Sequence, residues 1–79
     1  MSEVVAMEIR SYTELHVGQL LVLQDPYYPK RTVARVVQAP AENPRTGEAL
    51  GQLKVRVEET GHVVEYARGI RMPRHWFPC

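Results

Sequence analysis

Apolar and polar residues alternate most clearly over residues 53–68, LKVRVEETGHVVEYAR. Leu53, Val55 and Val57 take turns with Lys54, Arg56 and Glu58, the period-two pattern of a strand with one buried face. After Gly61 come Val63, Val64 and Tyr66, β-branched and aromatic residues that suit a pleated surface. The pattern predicts a hairpin turning at Thr60-Gly61, where glycine takes positive φ without a Cβ clash. Register narrows the loop length. A two-residue loop sets Val57 against Val64, Val55 against Tyr66 and Arg56 against Glu65. A four-residue loop sets Val55 against Val64, Leu53 against Tyr66 and Lys54 against Glu65. Both place like beside like and opposite charges together, whereas a three-residue loop mixes the faces. An even loop is expected, with Val55, Val57, Val64 and Tyr66 facing the core.

The same pattern places the remaining elements. Residues 19–24 and 32–38 read as strands, separated by a loop at residues 25–30 whose prolines, Pro26 and Pro29, bar a central strand. Residues 39–51, APAENPRTGEALG, read as a long exposed loop. A tight turn at Gly69-Ile70-Arg71 leads to a short closing strand or tail over residues 72–77. Ser11 and Glu14 fit a capping box, but no amphipathic run follows, so one short turn is all they can start. In residues 1–10, Val5, Met7 and Ile9 alternate with Ala6, Glu8 and Arg10. This suits a strand or extended arm on the sheet edge, although Ala, Met and Glu also favour helix. The expected organisation is an N-terminal strand or arm over residues 1–14 and an all-β unit over residues 15–79.

Length and charge refine this picture. A chain of 79 residues is one small domain. Its core should supply roughly 3–5 kcal/mol, which makes a homo-oligomer a natural expectation. Net charge is +1, no global signature of a nucleic-acid binder. The charge is uneven: Glu3, Glu8, Glu14 and Asp25 outweigh Arg10 in the first part, while Arg68, Arg71 and Arg74 close the chain with no acid among them. The single cysteine, Cys79, supports neither a disulfide framework nor a metal cluster. No apolar run approaches the ~18 residues of a spanning helix, and no signal peptide opens the chain, so a cytoplasmic protein without membrane contact is expected.

The order of elements resembles the SH3-like small-barrel superfold, which includes KOW, Tudor and integrase C-terminal domains. The residues carrying this are Leu15-x-Val17-Gly18-Gln19-x-Leu21-Val22-Leu23, then residues 32–37, the hairpin, and the Gly69-Ile70 turn into a last strand. The resemblance spans residues 15–77, is topological, and implies a small SH3-like barrel of about five short antiparallel strands. It transfers no family site. One enzyme group, the type II plasmid dihydrofolate reductases, uses such a barrel as a tetramer with a Val-Gln-Ile-Tyr active-site strand. The nearest segment here is Val63-Val64-Glu65-Tyr66, which argues against that activity.

Two groups of residues are candidate binding sites. Arg68, Arg71, Arg74, His75 and Trp76 could contact phosphates and stack a base; equally, Trp76 and Phe77 could cap the barrel while the arginines are a solvated face. Tyr27, Tyr28 and Trp76, with Tyr66, could form an aromatic protein-binding groove; equally, Tyr66 is core and the loop tyrosines cover an open barrel end. His16, His62 and His75 lack ligand spacing, so no metal or cofactor is expected. No nucleophile has a base placed by sequence, so no catalytic residue is named. The expectation is a non-enzymatic module docking on a protein partner, of the kind a phage or mobile-element accessory protein would supply. The alternatives are a nucleic-acid-binding barrel using the C-terminal basic segment, and a small oligomeric enzyme with an interface site.

Overall fold

The computed structural model describes residues 7–24 and 30–79. A 3-10 turn, Tyr12–Glu14, precedes strands β1 (Leu20–Leu23), β2 (Thr32–Gln38), β3 (Lys54–Val57), β4 (Val63–Glu65) and β5 (Trp76–Pro78). They form one antiparallel sheet of five strands in the order β4-β3-β2-β1-β5. The last strand returns to pair beside the first, with Leu23 opposite Trp76 and Val22 opposite Phe77. β4 and β5 are the two edges, and no ladder joins them into a closed barrel among the described residues.

The hairpin takes the longer even loop. Val55 lies opposite Val64 and Lys54 opposite Glu65, with Lys54 Nζ 3.1 Å from Glu65 Oε1. The turn occupies residues 58–61 and closes with Gly61 at φ +74°, donating its N–H to Val57 O at 2.7 Å. Val55 and Val57 are buried, and Val64 and Tyr66 are partly buried on the same side.

One face of the sheet carries the core. Leu21, Leu23, Ala34, Val36, Leu53, Val55 and Trp76 are each at most 1% exposed. Ile9, Tyr12 and Leu15 join them, so residues preceding the strands contribute to this core. Residues 1–6 lie outside the described part. Residues 7–10 have no regular secondary structure, and Ile9 N–H donates to Trp76 O at 2.7 Å along the outer side of β5. Ser11 and Glu14 form a reciprocal capping box on the 3-10 turn.

The loop at residues 39–51 departs from expectation. Pro40 and Ala49 are buried, and Asn43 N–H to Glu48 O and Leu50 N–H to Ala41 O, both 2.8 Å, fold the loop into a small hairpin of its own. Ala49 N–H then donates to Ile70 O at 2.8 Å. The Glu42 side chain anchors this loop. Its carboxylate accepts from Tyr12 N–H at 2.9 Å and Ser11 Oγ at 3.0 Å, tying the loop to the 3-10 turn. The closing strand is also shorter than expected, covering Trp76–Pro78 because Met72 to His75 are extended or bent outside the ladder.

Candidate functional site

An open cleft of about 460 Å³ lies along the β5 edge, where residues 8–10 run beside residues 72–75. Period-two alternation builds one wall. Ile9 turns inward and is 3% exposed, which leaves its neighbours Glu8 and Arg10 at the surface. The opposite wall is set by His75, which has φ +64°. A non-glycine residue in this region costs about 1–3 kcal/mol and needs support from its surroundings. His75 has that support on both sides: its N–H donates to Glu8 Oε2 at 2.9 Å, and its carbonyl accepts from Gln24 N–H at 3.0 Å.

Charge converges here. The His75 N–H bond holds the Glu8 carboxyl below its ordinary value of 4.5. Desolvation opposes this in part, and the positive charges of His75, Arg10 and Arg74 add to the lowering. Two guanidinium groups against one carboxylate leave the cleft with positive charge. Ile9, Met72 and Pro73 are its apolar lining residues. The arrangement can take an anionic group beside an apolar one.

The predicted site residues divide accordingly. Arg74 and His75 line the cleft. Arg71 is exposed and its backbone pairs with that of Glu48 in an isolated antiparallel β-bridge just before the cleft begins, and Arg68 is exposed in the turn ahead of Gly69. Trp76 must be corrected as a contact residue: at 0% exposure it has no face to offer a base or a partner. Its ring meets Tyr66 edge-on, with centroids 5.4 Å apart and an angle of 74°. That pairing places Tyr66 against the core as well. Tyr27 and Tyr28 lie outside the described residues. Glu8 and Arg10 were not foreseen as site residues. Alternation about Ile9 was the available signal, since it sets both on one face, but nothing in the sequence pairs that face with Arg74.

Among the described residues, no three His, Cys, Asp or Glu side chains gather in a metal-binding arrangement, and no helix is long and apolar enough to cross a membrane. No protein-family model matches the chain, and neither does any curated protein or solved structure.

Proposed function

We propose that this chain is a non-enzymatic binding module of the SH3-like small-barrel class, and that it docks on a protein partner through the cleft between residues 8–10 and 72–75. The strand order supports the class, because return of the last strand beside the first is the connection a small barrel requires. The observation that carries the docking reading is the grouping of Arg10, Arg74 and His75 around Glu8 beside the apolar Ile9, Met72 and Pro73. A partner segment with an acidic side chain next to an apolar one fits both features. Nucleic acid fits less well. With Trp76 buried, His75 is the one ring among the cleft's lining residues on which a base could stack.

The test is capture from a lysate of the source organism, with and without nuclease, using the wild type and an Arg10→Glu, Arg74→Glu double variant. A protein retained by the wild type, indifferent to nuclease and lost with the double variant supports the reading. Capture that nuclease abolishes, with affinity falling steeply as salt rises, assigns the basic segment to nucleic acid instead. Equal capture by both chains removes the cleft from the function.

A further inference from the structure

We propose that the free edge of β4 is a self-association surface, on which a second copy of this chain adds its own β4 in antiparallel pairing. The two edges of the sheet differ. The β5 edge is taken by residues 8–10, through the Ile9 bond to Trp76 O and the Glu8 bond to His75 N–H. Among the described residues, β4 contacts β3 and no other strand.

The ladder shows which groups of β4 are open. Val57 N–H donates to His62 O at 2.8 Å and Tyr66 N–H to Leu53 O at 2.9 Å, so the bonded pairs between β3 and β4 are Val57 with His62, Val55 with Val64, and Leu53 with Tyr66. Antiparallel alternation then turns the N–H and C=O groups of Val63 and Glu65 away from β3. No described residue meets those groups. Unpaired edge groups are a template for another strand, and proteins blunt them with short strands, charges, proline or bulges. β4 is three residues long and carries one charge, Glu65, but has no proline and no bulge.

A second copy fits this edge in one register. With Val63 opposite the partner's Glu65, the two residues exchange both bonds, symmetry repeats the exchange, and every open group is met. Val64 then lies beside the partner's Val64. Sliding toward the turn would set Glu65 against the partner's Gly61, whose N–H already serves Val57 O. Sliding the other way sets Glu65 against the partner's Glu65, like charge on like charge.

Charge favours the same register. Arg56 and Arg35 lie opposite each other on the outer face. Arg35 has Glu58 at 2.6 Å, but exposed Arg56 has no ion-pair partner among the described residues. Val63 is opposite Arg56, so the partner's Glu65 arrives two strands from Arg56, across Val63, where the long arginine side chain can add to the Lys54 contact that Glu65 already makes. Val63, 42% exposed, becomes covered. The area gained also suits a domain too small to build a large core alone.

Sedimentation velocity from micromolar to millimolar protein tests this. A dimer that grows with concentration is expected. Val63→Pro removes an outward N–H while sparing the β3 ladder, and should abolish the dimer with an unchanged circular dichroism spectrum. Glu65→Arg sets like charges beside Arg56 and should weaken the dimer about tenfold or more. Adding Arg56→Glu to that variant should restore it, which decides the matter if the proline variant does not fold. A wild type that stays monomeric throughout, or a dimer indifferent to both Val63→Pro and the charge reversal, overturns the proposal.

Discussion

The Glu8 carboxylate accepts a hydrogen bond from the backbone N–H of His75, 67 positions away in the chain, at 2.9 Å. Together with the Ile9 bond to Trp76 O, it fastens residues 8–10 along the edge of β5 and fixes the width of the cleft. The bond also holds His75 in its left-handed conformation, so one carboxylate serves both the sheet edge and the candidate site.

That bond has a pH dependence of definite sign. The folded Glu8 pKa is lowered from 4.5, chiefly by the His75 N–H. The folded state therefore takes up this proton at lower pH than the unfolded chain does. The contribution of Glu8 is present above 4.5 and is lost as pH falls through the folded value. An NMR titration should show the Glu8 carboxyl and the His75 amide moving together, with a midpoint below 4.5. Glu8→Gln should abolish the His75 movement; an amide that titrates unchanged in that variant would falsify the link.

Trp76 is fully buried against Tyr66 and the strand residues of the core. Truncating a buried aromatic costs about 3–5 kcal/mol. A core of this size supplies roughly as much in total, so Trp76→Ala should leave the chain unfolded at room temperature. Trp76→Phe keeps part of the packing and should fold with a lower melting temperature. Native emission should be blue-shifted and resistant to iodide. Red-shifted, readily quenched emission from a folded sample would return Trp76 to the surface.

These contacts also show how far the sequence could be read. The hairpin was legible because pairing Lys54 with Glu65 and Val55 with Val64 depends only on neighbours across one turn. The tail was less so. Trp76, Phe77 and Pro78 alternate across β5, and only the pairing of Leu23 with Trp76 settles that the tryptophan, not the phenylalanine, faces the core. The acid-free run singles out Arg74 and His75, which line the cleft. It does not single out their partners Glu8 and Arg10, because the cleft joins segments from opposite ends of the chain. Composition marks residues 39–51 as loop, but it does not reveal that Glu42 reaches back to Ser11 and Tyr12.

The alkaline limit of stability should depend on Tyr12. Its side chain is 1% exposed and its hydroxyl donates to Ile70 O at 3.1 Å. Burial, with a smaller push from the Glu42 charge, raises its pKa from 10.0 to about 12. The unfolded chain ionises first, so the contribution is intact below 10 and is lost as pH rises through about 12. A shift of this size corresponds to about 2–3 kcal/mol. Tyr12→Phe should cost about 0.5–1.5 kcal/mol at neutral pH through the lost hydrogen bond. Denaturant melts at increasing pH should then show the gap between wild type and variant closing. A gap that stays constant up to pH 12 would contradict the assignment.

Glu42 links these effects to the long loop. Its Oε1 accepts from Tyr12 N–H at 2.9 Å and its Oε2 from Ser11 Oγ at 3.0 Å, so Glu42→Ala leaves both donors without their acceptor. An orphaned, partly buried donor costs about 1–3 kcal/mol, and hydrogen exchange should speed up at Asn43, Ala49 and Leu50 as the loop loosens. Glu42→Gln can still accept one of the two bonds, so it should lie between wild type and the alanine variant. It also removes the negative charge while leaving Tyr12 buried. Because burial is the larger cause of the raised pKa, the phenol in Glu42→Gln should titrate below about 12 yet remain above 10.0. Ultraviolet titration of the phenolate reads this directly. A full return to 10.0 would make the charge, not burial, the dominant cause, and no movement at all would mean that Glu42 acts on Tyr12 only through its hydrogen bonds.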